Sequence, residues 1–185
     1  VSNVSADRRL LLGTVGWERP DWATGYYPPD LPDDWRLAYY ANDCSCVLLP
    51  AAVWCAAARD ELDLLLDETP PHLCFFLEAP GSGQLGDCAA LELFAARRAL
   101  LLTAASGTAS GPLACWAAQG ADVWADSDSG ARLVRWSIER FDLRELRARA
   151  QRLDARAAAL VLDGPGASPG RVPELRRLLE LLGRA

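Results

Sequence analysis

Residues 10–54, LLLGTVGWERPDWATGYYPPDLPDDWRLAYYANDCSCVLLPAAVW, constrain the fold more than any other stretch of the chain. The apolar run 10–15 is nearly unbroken, as a strand buried on both faces requires. Gly13 and Gly16 allow the backbone to turn tightly at its end. The segment ERPDWATGYYPPDLP holds four prolines and a glycine, which makes it a loop. A helix is expected over 33–42, capped by Asp33 or Asp34, with Leu37 and Tyr40 inward and Trp35 at the margin of that face. Residues 46–49 form a second apolar strand, and Pro50 ends its ladder because it has no N–H to donate. This is one complete βαβ unit with an elaborate aromatic loop at the carboxyl end of its first strand.

The pattern repeats along the chain. A helix over 56–67 leads to a third strand over 72–78 (HLCFFLE), closed by APGSG. A helix over 87–96 and a fourth strand over 99–103 follow. After the loop ASGTASGP the reading gives a short helix over 113–119, then two strands over 121–125 and 132–136 linked by DSDSG. The amphipathic segment 142–155 is a helix capped by Asp142, with Leu143, Leu146, Ala150 and Leu153 as its apolar stripe. A last strand over 158–162, the turn-rich DGPGASPG and a helix over 173–182 stopped by Gly183 complete the chain. Seven strands alternating mostly with helices predict a largely parallel sheet within one domain spanning 1–185.

Such units either wind into an open sheet or close into a barrel. An open dinucleotide-binding sheet needs G-x-G-x-x-G between strand and helix; GTVGWE lacks that spacing, and no helix opens there. The expected fold is therefore an α/β barrel.

Composition excludes several functions. The net charge of −6 opposes nucleic-acid binding, which needs a clustered basic surface. No apolar run reaches the 18 residues of a membrane span, and VSNVSADRRLLLG is too short an apolar stretch for a secretory signal. Cys44, Cys46, Cys55, Cys74, Cys88 and Cys115 fall mostly in apolar segments, which suits buried reduced thiols and a cytoplasmic location. Alternation along a strand would turn Cys44 and Cys46 to one side, but no second Cys/His pair has ligand spacing, so no metal is expected. The single histidine, His72, starts a strand at the base of the barrel, the wrong end for a catalytic triad. No cofactor motif is present.

The residues GTVGW, Pro20-Asp21-Trp22, Tyr27-Pro28, Leu31-Pro32 and the helix WRLAYYAN resemble the opening of the YecE-like family, the domain of unknown function 72. GADVWAD, LVRWS, DLRELRARAQRL and AALVLDG resemble that family's last three strands and the helix between them. The resemblance implies a TIM-type barrel and no assigned activity. A full barrel usually needs about 250 residues, so a reduced or distorted barrel of about seven strands is expected. The gap between Glu78 and Ala99 is where the resemblance places a missing βα unit. Its open edges would call for a homodimer or a covering helix.

Against the family pattern, Leu48 and Pro50 stand where Glu and Asn are usual. Glu78-Ala79-Pro80 replaces Lys-Ala-Pro, and LLTAA replaces a strand carrying Glu-Phe-Arg. Arg135 is kept, Trp136-Ser137 replaces Phe-His, and Leu162-Asp163 replaces an Asn pair. The family's polar site is thus expected to be degenerate here.

Barrel sites lie at the carboxyl ends of the strands. That rim is expected to gather Thr14, Trp17, Asp21 and Tyr27 from the first loop, with Trp54, Glu78, Asp126, Arg135, Trp136 and Asp163 from later strands. Aromatic rings with carboxylates and one arginine suit a small-molecule ligand; alternatively the tryptophans plug the barrel as core. The reading is a non-catalytic ligand-binding or interaction module. The alternative is a carboxylate-dependent hydrolase of a sugar-like molecule, with Glu78 and Asp163 as its catalytic pair.

Overall fold

In the computed structural model, which describes residues 9–81, 89–104 and 111–184, eight strands close into a barrel in chain order. They are β1 (Leu11–Val15), β2 (Cys46–Leu49), β3 (Cys74–Glu78), β4 (Arg98–Thr103), β5 (Ala114–Gly120), β6 (Val123–Ala125), β7 (Arg132–Ser137) and β8 (Ala157–Asp163). The seam is a parallel pairing of β1 with β8, from Leu11 opposite Ala159 to Thr14 opposite Leu162. Segment 1–8, Cys88 and most of the loop ASGTASGP lie outside the described residues.

Helices follow the strands at both ends of the chain. After β1 come α1 (Pro20–Gly25), a 3-10 turn (Asp33–Trp35) and α2 (Arg36–Tyr40). After β2 stand α3 (Ala51–Trp54) and α4 (Arg59–Glu68), and α5 (Ala89–Ala95) precedes β4. Then α6 (Leu143–Gln151) joins β7 to β8, and α7 (Val172–Leu181) closes the chain. Asp142 caps α6 as the sequence predicts: its Oδ1 accepts the Arg144 amide at 2.8 Å.

Three expectations are corrected. The strand count is eight, because residues expected as a helix over 113–119 form β5. Their pattern, buried Leu113 and Trp116 between half-exposed or exposed small residues, does not distinguish a short helix from a strand, and pairing on both edges decides it. The unit between Glu78 and Ala99 is not interrupted, since β3 and β4 pair directly across α5. The economy of length lies further on. Strands β5, β6 and β7 form an antiparallel meander, with β6 reversed, and no helix stands among the described residues between β4 and β7. A hairpin needs only a few residues where a parallel crossover needs a dozen or more. The barrel is therefore closed, and the open edges that motivated a dimer or a covering helix are absent. The loop ERPDWATGYYPPDLP, in addition, contains α1, started by Pro20 at its first position.

Two cores result. Leu11, Cys46, Leu48, Cys74, Phe76, Leu100, Leu102, Trp116, Trp124, Leu133, Ala159 and Val161 fill the barrel. Alternate residues, among them Leu12, Val47, Leu49, Phe75, Leu77, Leu101, Leu160 and Leu162, face the helices. Cys44 precedes β2 and belongs to the outer core while Cys46 belongs to the inner one, so the two thiols do not share a side.

The first two strands approach unusually closely. A Cβ on Gly13 would stand 1.8 Å from the Cys46 carbonyl oxygen, so only glycine fits. Beside it the Tyr40 hydroxyl enters the ladder, accepting the Thr14 amide at 2.9 Å and donating to the Cys46 carbonyl at 2.8 Å. The long first loop is tied across the seam to the last one. Arg19 Nη1 donates to the Gly164 carbonyl at 2.7 Å, and the buried Trp22 indole to that of Ala167 at 3.0 Å.

Candidate functional site at the barrel mouth

Alternation along three strands sends three charged side chains to one place. Glu78 follows Cys74 and Phe76 on the inner face of β3, Arg135 follows Leu133 on β7, and Asp163 follows Ala159 and Val161 on β8. Each stands at or near the carboxyl end of its strand, the end where barrel proteins carry their sites.

Arg135 is the hub. Its Nη1 lies 3.4 Å from Glu78 Oε1, its Nε donates to Asp122 Oδ1 at 2.9 Å, and its Nη2 donates to the Ala121 carbonyl at 3.1 Å. Its guanidinium also lies over the Trp124 ring, 5.4 Å from the centroid. Apart from Glu78 on β3, these partners come from the β5–β6 turn and β6, which the reversal of β6 brings to the mouth. The sequence reading omitted Asp122 and Trp124. The signal was Gln119-Gly120-Ala121-Asp122, a turn-like step between two short apolar runs.

Burial raises the Glu78 carboxyl above its ordinary range; Arg135 opposes that shift, and the nearby Asp163 carboxylate reinforces it. Glu78 is thus biased toward its protonated form. Asp163 Oδ1 accepts the Gly164 amide at 2.7 Å. The mouth consequently offers a carboxyl biased toward protonation and a neighbouring carboxylate beside a cation largely occupied by protein acceptors.

Other expected rim residues are placed elsewhere. Thr14 is wholly buried on the outer face of β1, its hydroxyl donating to the Gly16 carbonyl. Trp54 is buried in the outer core, where its indole donates to the Glu78 carbonyl at 2.9 Å and braces that strand end. Trp136 is buried in the outer core as well. Tyr27 is buried, its hydroxyl on the Trp17 carbonyl and its ring edge-on to Tyr26 and Tyr39. Trp17 is half-buried against the outer core and lines a groove with Trp54 and Leu65. Asp21 is exposed and paired with Arg19 at 3.1 Å. Asp126 is at the opposite end: it opens the β6–β7 turn, accepting the Ser129 amide at 3.1 Å. Burial pushes its carboxyl up, but hydrogen bonds from Ser129 and Asp128 outweigh this and hold it below the ordinary range.

The tryptophans divide among these layers. Trp116 and Trp124 fill the barrel, Trp54 and Trp136 fill the outer core, and Trp35 is 57% exposed. Among the described residues no group of three or more His, Cys, Asp or Glu is arranged to hold a metal ion. Burial raises the Cys46 thiol and takes those of Cys44 and Cys74 to about 12, so all three are protonated at neutral pH. No helix among the described residues is long and apolar enough to cross a membrane.

A closed, mostly parallel eight-stranded barrel with charged groups converging at the strands' carboxyl ends defines a TIM-barrel-like α/β protein. The chain belongs to the DUF72 family, the same family as the YecE-like proteins: residues 11–105 match the family described as "Protein of unknown function DUF72". The crystal structure of a DUF72 family protein from Thermotoga maritima is similar over 95% of this chain and 99% of that one, with a TM-score of 0.58 and 13% identity. That likeness shows the shared fold. Comparison with curated proteins gives no match.

Proposed function

We propose that this protein is a non-catalytic binding module, one barrel domain acting in the cytoplasm, whose mouth holds a small polyhydroxylated, sugar-like ligand. The observation that carries this reading is the convergence of Glu78, Asp163 and Arg135 at the strand ends. Two carboxyl groups supply acceptors for ligand hydroxyls. Arg135 is already engaged by Asp122, Ala121 and Glu78, so it stiffens the site more than it recruits an anion. The positions inward of this cluster, Leu48 and Leu102, are apolar, and a catalyst needs more groups within reach of one reacting atom.

A second reading rests on one specific observation. A carboxyl raised by burial beside a second carboxylate is the pairing glycoside hydrolysis uses, one protonated as acid and one ionised. Titrating the protein with a panel of mono- and disaccharides, while assaying the matching nitrophenyl glycosides, separates the two. Saturable binding abolished by Asp163→Asn, without turnover, supports the module. Turnover lost in both Glu78→Gln and Asp163→Asn establishes the hydrolase instead, and neither binding nor turnover rejects both.

A further inference from the structure

The opposite end of the barrel carries a separate feature. A cavity of about 690 Å³ opens at the amino ends of β1 to β4 and runs under α7. Arg9, Arg98 and Arg176 line it, and among the described residues none of the three is in an ion pair. Elsewhere Arg19, Arg36, Arg97, Arg132, Arg135, Arg149 and Arg171 are ion-paired.

Two of these guanidinium groups are held in place by main-chain carbonyls. Arg98 Nη1 donates to the His72 carbonyl at 3.3 Å, and Arg176 Nη2 to that of Asp43 at 2.9 Å. A guanidinium has five N–H donors, so each retains several others. Neither carboxylate on the wall forms an ion pair with these arginines. Asp43 Oδ2 accepts the Tyr26 hydroxyl at 2.9 Å, and Glu180, one helical turn from Arg176, is not ion-paired with it. Three cations face two carboxylates, with His72 alongside as a further polar group.

We propose that this floor cavity binds a small phosphorylated organic molecule. Arginine forks match phosphate oxygens in geometry and charge, and a dianionic head offers acceptors to all three guanidinium groups. The cavity lies within the range of small-molecule sites, roughly 300–1,000 Å³, and leaves room for an organic body beyond the phosphate. The site is distinct from the mouth and does not depend on the function proposed there.

The test is a titration of the 15N-labelled protein, followed by amide and arginine Nε–H resonances, with glucose 6-phosphate, inorganic phosphate, glucose and ionic-strength-matched chloride. Glucose 6-phosphate is expected to shift Arg98, Arg176 and the His72 amide saturably, leaving Arg135 unmoved. Inorganic phosphate should shift the same signals more weakly, and glucose and chloride should not. The double variant Arg98→Gln/Arg176→Gln should lose at least about tenfold in affinity, and the Lys/Lys variant should recover part of it. Both variants must match the wild-type spectrum away from the cavity; where the Gln pair fails to fold, the Lys pair and the wild-type titration decide. Shifts no larger than those with chloride, or unchanged affinity in the folded Gln or Lys variant, would overturn the proposal. Equal affinity for inorganic phosphate would overturn its organic part.

Discussion

Strands β1 to β4 turn large apolar side chains both ways, whereas the β5–β7 meander turns most of its large side chains inward. Phe75, Leu77 and Leu101 are fully buried against helices on the first side, with Cys46, Cys74 and Phe76 facing the interior. On the meander Trp116, Trp124 and Leu133 fill the interior, while outward Ala117, Val123, Ala125 and Val134 are only half-buried. Only at Trp136, where β7 rejoins the helical layer, does the meander bury a large side chain outward. Inside the barrel the bulk of the two tryptophans offsets the small Cys46, Cys74 and Ala159 contributed by the other wall, the large-against-small packing that dense interiors require. A barrel wall can thus shed its helices if it fills the centre from within and keeps its outer face small.

The largest expected effect breaks the tight side. Gly13→Ala, whose Cβ would overlap the Cys46 carbonyl, should cost about 4 kcal/mol or more and leave little folded protein in urea titrations. Next is a set of three truncations that measures the asymmetry itself. Trp116→Ala and Phe75→Ala should each cost about 3–5 kcal/mol, but Val123→Ala under about 1 kcal/mol. A Val123 cost matching that of Phe75 would end the comparison. Asp142→Ala removes the α6 cap and should cost about 1 kcal/mol by the same assay.

The smallest effect carries a sign. Glu78 titrates above its ordinary 4.5 in the folded protein, so folding favours its protonated form. The stability this confers is complete at low pH and is lost as pH rises through the folded value. Glu78→Gln cannot ionise, so it should melt slightly higher than wild type at pH 7, and the difference should close below about pH 4. A variant that melts lower at pH 7 would make the Arg135 ion pair, not burial, the dominant influence on Glu78.

The parallel wall was legible in the sequence because each of its strands is a short apolar run followed by helix signals. The YecE-like motifs over the first forty residues led to the same family and fold. The meander was not, since ACWAAQG has too few large residues to set a period, and its strand nature comes from neighbours far away in sequence. That one misassignment also misplaced Asp126 and hid Asp122 and Trp124, because reversing β6 exchanges which turn reaches the mouth. Glu78, Arg135 and Asp163 were legible because their strands' alternation was right. Thr14 and Trp136 were not, since strand-end position does not tell the inner face from the outer, and Trp54 was not because it lies on α3 rather than on a strand.

The most direct test of this account is a nuclear Overhauser spectrum of the meander and the seam. The registers predict cross-strand contacts of Trp124 with both Ala118 and Leu133, together with Leu12–Leu160 and Thr14–Leu162 contacts across β1 and β8. A helical pattern of sequential amide contacts over residues 114–120, with Trp124 contacts to Ala118 or the seam contacts missing, would contradict the closed barrel with a reversed sixth strand.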